Sequence, residues 1–137
     1  MIAHSMTTAL ATLPDAEVIA VGSRSQESAD RFAAEFNISH AHPSHEALCA
    51  DPDVDIVYVA SPHSEHRVMT IAALDAGKHV VCEKAFAANA AEAGEMVAAA
   101  RRNGRFLMEA MWTWFIPAVI DIRARISAGE IGSVISV

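Results

Sequence analysis

The chain has 137 residues, 53% apolar and 20% charged, enough for a domain with its own core and within the globular range. Its formal net charge of -7, with ten scattered Lys and Arg of which only Arg101 and Arg102 adjoin, excludes the clustered basic surface that nucleic acid or an anionic membrane needs. No apolar stretch approaches the roughly 20 residues of a membrane span, and Met1–Leu13 lacks a signal peptide's charged start. With Cys49 and Cys82 far apart and matching no metal spacing, the expectation is a cytoplasmic protein with two reduced thiols.

Ile2, Met6, Ala9, Leu10 and Leu13 form one apolar stripe, which predicts a helix over Met1–Leu13 closed by Pro14-Asp15. Glu17–Gly22 is a β-branched run bounded by turn residues and is predicted as a strand. Ser25 caps a second helix that buries Ala29, Phe32, Ala33 and Phe36. A short strand over His40–Pro43 and a helix of one to two turns over Ser44–Ala50 follow. Asp55–Ala60 is almost continuously apolar, as in a parallel strand covered on both faces.

Ser64 is expected to cap the next helix, which carries Val68, Ile71, Ala72 and Leu74 and ends at Gly77. His79–Cys82 is again a strand. Asn89 and Glu92 form a capping box for a helix with Ala93, Met96, Val97 and Ala100, ending at Gly104. Phe106–Ala110 is a strand, Pro117 opens a helix through Ile122 and Ile126 to Gly129, and Val134–Val137 begins another strand. Strands alternating with helices imply βαβ units and a parallel sheet, hence the α/β class.

Four stretches carry a family resemblance: Ala20-Val-Gly-Ser-Arg24, Asp55-Ile-Val-Tyr-Val-Ala-Ser-Pro-His63, Ala76-Gly-Lys-His-Val-Val-Cys-Glu-Lys84 and Phe106-Leu-Met-Glu-Ala-Met-Trp-Thr-Trp-Phe-Ile-Pro117. In this order they resemble the Gfo/Idh/MocA oxidoreductases, and Met108-Glu-Ala-Met-Trp112 is most similar to the branch of dimeric dihydrodiol dehydrogenases and NADP-linked xylose dehydrogenases. The resemblance implies a Rossmann-like doubly wound parallel sheet over residues 1–116, followed over 117–137 by the connecting helix and first strand of a second α/β domain.

Members of the family open with a strand and a G-x-G-x-x-G turn. The glycines here, Gly22, Gly77, Gly94, Gly104, Gly129 and Gly132, form no such turn. The expectation is therefore a Rossmann domain lacking its central first strand and cut at both ends. Glu17–Gly22 and Asp55–Ala60 then either expose unpaired backbone or pair with each other. Unpaired buried groups cost about 1–3 kcal/mol each, so the isolated chain is expected to be marginally stable.

The resemblance places Lys84, after a carboxylate at a strand's carboxyl end, beside the nicotinamide ring. There a cation stabilises a developing alkoxide. Ala85 stands where the family usually has proline. Ser23 and Arg24 follow the strand whose end selects the cofactor; arginine accommodates a 2′-phosphate, which favours NADP over NAD. Ser61, Pro62, His63 and His66 are implied cofactor contacts, with Glu83 beside Lys84. Glu109, Trp112 and Trp114 fall where the family closes the nicotinamide pocket, although relatives in this branch often carry arginine at the position of Trp114. His63 and His66 read equally as cap residues, and both tryptophans as core.

His4, His40, His42, His45 and His79 suggest no metal constellation. His40-Ala-His42-Pro-Ser-His45 lacks a cysteine or paired carboxylate to complete four ligands, and no nucleophile elbow is present. The expected function is NADP-dependent hydride transfer to or from a sugar, polyol or dihydrodiol hydroxyl, in a full-length form expected to be a homo-oligomer. This chain alone is expected to turn over little, since the family's acid/base residue lies in the second domain. The alternative is a non-catalytic nucleotide-binding or interaction fragment, without turnover.

Overall fold

The computed structural model describes residues 2–135. Helix α1 (Ile2–Leu10) buries no residue, and His4 meets Phe32 and Phe36 edge-on, at ring-centroid distances of 4.9 and 5.4 Å. It ends before the expected Leu13, where the Thr12 hydroxyl donates to the Ala9 carbonyl at 2.7 Å and competes with a further turn. Strand β1 (Ala20–Gly22) is shorter than expected, because within Glu17–Gly22 only these residues and the Ile19 carbonyl, which accepts from His40 N–H at 2.9 Å, face a partner.

Helix α2 (Gln26–Phe36) starts as foreseen, with Ser25 Oγ accepting the Ser28 N–H at 3.3 Å, and ends on Asn37 in the left-handed region at φ 54°. Ala29 and Ala33 are buried, whereas Phe32 and Phe36 are only half-buried. Strand β2 (His40–His42) pairs in parallel with β1, and Ser44 caps helix α3 (His45–Ala50) through the Ala47 N–H at 3.1 Å. Gly22 lets α3 approach closely: a Cβ there would stand 3.0 Å from Leu48 Cβ and 3.1 Å from the Ser44 carbonyl oxygen.

The second half begins with strand β3 (Ile56–Val59). Val57 and Val59 are buried but Ile56 is 58% exposed, so this strand is covered on one face at its start, not on both as expected. Helix α4 (His63–Asp75) has Pro62 at its cap position and no side-chain cap. Ser64 is not the cap expected of it; it lies inside the first turn and its hydroxyl donates to Glu65. The helix turns His66, Thr70, Ala73 and Leu74 inward and leaves Val68 54% exposed.

Its carboxyl end closes as the sequence requires. Gly77 takes φ 80°, its N–H donates to the Leu74 carbonyl, and Lys78 N–H reaches back to Ala73. Strand β4 (His79–Cys82), helix α5 (Ala90–Asn103) and strand β5 (Leu107–Glu109) follow. Asn89 Oδ1 accepts the Glu92 N–H at 3.0 Å, and Gly104 ends α5 at φ 60°. A 3₁₀ turn (Trp112–Phe115) leads to helix α6 (Pro117–Ser127), which has Pro117 in its first turn and no buried residue. Val134 and Ile135 are not in a strand, and the last two residues of that expected element lie outside the described residues.

The strands form two parallel sheets, β1-β2 and β3-β4-β5. Among the described residues no ladder joins β1 to β3, so the inner edges expected to flank a central strand do not pair with each other. The core lies between β3-β4 and helices α4 and α5, where Leu74, Val80, Cys82 and Met96 are completely inaccessible. Burying a valine, leucine or methionine side chain stabilises by about 1.5–3 kcal/mol, which makes this layer the stable part of the molecule.

Candidate functional site

Parallel pairing aligns the carboxyl ends of β3, β4 and β5, and several of the candidate site residues follow there. β3 is followed by Ser61-Pro62-His63, β4 by Glu83-Lys84, and β5 ends on Glu109. In the register Tyr58 pairs with Val81, two residues before Glu83, so Tyr58 and Glu83 share a face of the sheet. The Tyr58 hydroxyl donates to Glu83 Oε1 at 2.5 Å, and Glu83 Oε2 accepts the Lys84 backbone N–H at 3.0 Å. Glu83 is buried, and burial followed by this carboxylate bond pushes the Tyr58 phenol well above its usual range. Tyr58 had not been singled out in the sequence; its signal is the alternation along β3 combined with the β4 register.

Lys84 is exposed and forms no ion pair among the described residues. Its backbone is held on both sides. His63 Nε2 lies 3.1 Å from the Lys84 carbonyl oxygen and 3.2 Å from the Ala85 nitrogen. One nitrogen serves one of these at a time, donating to the first or accepting from the second according to tautomer. The Lys84–Ala85 peptide bond is cis. Glu109 Oε1 accepts the Phe86 N–H at 2.9 Å, so the 83–86 loop is fixed by carboxylates at both ends while the lysine amine stays free.

His66 is completely buried, its Nδ1 3.0 Å from the Ala85 carbonyl oxygen and 3.3 Å from that of Phe86, its Nε2 3.0 Å from that of Ser61. An imidazole enclosed by carbonyls cannot reach a bound molecule; it ties the loop after β3 to the loop after β4. Of the expected contacts, Ser61, His63, Glu83 and Lys84 therefore gather around one loop, with His66 beneath it. Ser23 and Arg24 follow β1 in the other sheet, where the Ser23 N–H donates to the His42 carbonyl at 3.1 Å and Arg24 is exposed. Trp112 is 61% exposed, and the guanidinium of Arg123 stacks 3.9 Å over Trp114. Neither tryptophan is core.

The histidines on β2 find a partner that sequence reasoning missed. Alternation puts His40 and His42 on one face, and Asp51, at the end of α3, accepts from His40 Nδ1–H at 2.7 Å and His42 Nε2–H at 2.8 Å on the same oxygen, Oδ2. These two bonds lower the Asp51 carboxyl to about 2. Nothing local to Asp51 announces this; the turn from α3 into β3 brings it back beside β2.

A family model described as an oxidoreductase family with an NAD-binding Rossmann fold matches residues 1–111. The chain belongs to the Gfo/Idh/MocA oxidoreductase family. Among curated relatives, a trans-1,2-dihydrobenzene-1,2-diol dehydrogenase of Mus musculus is 46% identical over 134 residues, covering 96% of this chain and 40% of the relative. The enzyme of that name from Xenopus tropicalis is 43% identical over 135 residues, covering 97% and 41%. This family member thus spans about two fifths of the length of those relatives.

Among solved structures, a 3-ketoreductase from Actinomadura kijaniata, in complex with NADP and TDP-benzene, superposes with a TM-score of 0.84 at 34% identity, over 93% of this chain and 40% of that one. An NAD-binding oxidoreductase from Klebsiella pneumoniae gives 0.81 at 36% identity, over 94% and 35%. The Gfo/Idh/MocA assignment and the Rossmann-like fold expected from the sequence motifs both hold.

Proposed function

We propose that this family member is the nucleotide-binding part of an NADP-dependent dehydrogenase working in the cytoplasm on a sugar, polyol or dihydrodiol. The observation that carries the reading is the exposed Lys84 amine at the carboxyl end of β4, with its backbone pinned through Glu83 and His63. The donor set fits a dinucleotide: Ser23 and the exposed Arg24 for a ribose 2′-phosphate, and the Ser61–His63 turn, Lys84 and Trp112 for the nicotinamide end. NADP, when bound, supplies the hydride donor or acceptor. Lys84 donates a hydrogen bond to the reacting oxygen and stabilises the negative charge that grows on it. Glu83, Tyr58 and His66 hold the loop from which this amine projects. The names of the dihydrodiol dehydrogenases and the NADP complex of the 3-ketoreductase support the substrate class and the cofactor.

The test is fluorescence titration with NADPH and NADH, followed by steady-state kinetics in the enzyme that contains this chain. NADPH is expected to bind more tightly than NADH, and Arg24→Ala to remove that preference. Lys84→Ala is expected to lower kcat about a hundredfold or more, the range of one lost electrostatic donor, with little change in NADPH affinity. Preference for NADH, or an unchanged kcat in the lysine variant, overturns the reading.

A further inference from the structure

We propose that His40, His42 and Asp51 form a binding site for one divalent transition-metal ion of the zinc type, away from the Lys84 loop. The three candidate ligand atoms, His40 Nδ1, His42 Nε2 and Asp51 Oδ2, all lie within 4.8 Å of one another. Two imidazoles and one carboxylate suit zinc, cobalt or nickel and not the oxygen-only shells of calcium or magnesium. The histidines come from alternate positions of a single strand, so their spacing is set by the rigid period of β2.

The carboxylate is prepared for such a role. Asp51 Oδ1 accepts the Asp53 N–H at 3.0 Å, which fixes the carboxyl plane and leaves Oδ2 aimed at the two rings. The Asp51 side chain is 4% exposed, against 39% for His40 and 23% for His42, so the cluster is closed beneath and open above. That geometry gives three protein ligands and a solvent-side position for a fourth.

Metal–ligand bonds of about 2.0–2.2 Å separate tetrahedral neighbours by roughly 3.3 Å. The present separations of 2.7 and 2.8 Å from Oδ2 therefore open by about half an ångström when an ion takes the place of the two N–H protons, each of which moves to the other nitrogen of its ring, while the two ligating nitrogens, now within 4.8 Å of each other, settle to the same spacing. The neighbouring cation, Lys78, donates at 2.6 Å to the Asp51 backbone oxygen, not to its carboxylate, and the chain's net charge of -7 favours a cation.

The location separates this site from the hydride chemistry. Asp51 precedes β3 and Lys78 precedes β4, so the cluster sits toward the amino ends of the strands that deliver His63 and Lys84 at their carboxyl ends. Bound metal would clamp β2 to the turn between α3 and β3, a structural use that needs no redox change.

The tag-free chain, stripped with chelator, is titrated with zinc chloride in competition with a chromophoric chelator, and with cobalt(II) to read the visible bands of a four-coordinate ion. One equivalent is expected to bind, with zinc-induced shifts of histidine imidazole resonances concentrated on His40 and His42. His40→Gln and His42→Gln keep a donor toward Asp51 and are each expected to weaken binding at least about tenfold, while His4→Ala leaves it unchanged. The imidazole resonances decide the matter in the unaltered chain even if a variant misfolds. No stoichiometric binding, shifts centred on other histidines, or equal affinity in folded glutamine variants overturns the proposal.

Discussion

Tyr58 is the chain's single tyrosine, so its ionisation can be followed alone by tyrosinate absorbance. Removing its hydroxyl with Tyr58→Phe leaves Glu83 Oε1 without its donor inside a buried carboxylate. Hydrogen bonds to charged groups contribute about 1.5–3 kcal/mol. With a urea slope of about 1–3 kcal/mol/M, the unfolding midpoint should fall by roughly 1 M. The phenol's folded pKa is raised above its ordinary 10.0, first by burial and then by Glu83. The sign follows: this contribution is complete below pH 10 and is lost as pH rises from there toward the folded value. Alkaline titration of the folded chain should therefore show tyrosinate appearing later than in urea-unfolded chain, and Glu83→Gln should bring it earlier. A Tyr58→Phe midpoint within 0.3 M of the parent (about half a kcal/mol at these slopes), or a phenol that titrates alike folded and unfolded, would refute the coupling and with it the account of how Lys84 is positioned.

Two further outcomes follow from packing. Gly22→Ala places a methyl 3.0 Å from Leu48 Cβ and 3.1 Å from the Ser44 oxygen, so α3 must shift; thermal unfolding should reveal a loss of about 1–3 kcal/mol, and an unchanged midpoint would mean that α3 docks elsewhere. Cys49 and Cys82 are buried and their thiols are pushed up by that burial, so iodoacetamide should modify both slowly in the folded chain and rapidly in denaturant. Fast labelling at neutral pH without denaturant would indicate that the core around Cys82 opens.

Helix starts were the most legible elements, because caps act locally. Ser25, Ser44 and Asn89 each accept the N–H three residues on, and Gly77 and Gly104 end their helices with positive φ. Pro62, not Ser64, precedes α4, since the turn after β3 lets the helix begin one residue earlier than the first good cap. Strand lengths were less legible. Apolar runs mark what can lie in a sheet, but ladder length depends on partners, and β1 shortens to the residues that face β2. At the candidate site, Lys84 and Glu83 could be placed from order and resemblance alone. His66 and Asp51 could not: an interior imidazole and a surface one look alike in sequence, and Asp51 meets residues nine and eleven positions away only after α3 has turned the chain.

Asp51 also has a mechanical consequence. Its carboxylate grips the β2 histidines of one sheet, and its carbonyl oxygen grips Lys78, the residue from which β4 of the other sheet departs. Among the described residues no ladder bridges the two halves, and that aspartate works as a rivet between them. The strand that leads into Lys84 is thus moored at its opposite tip to the neighbouring half of the molecule, and this tether works beside the His45 ring, which bonds the Met69 carbonyl at 2.8 Å, and beside Leu48 and Cys49, which pack into the shared core.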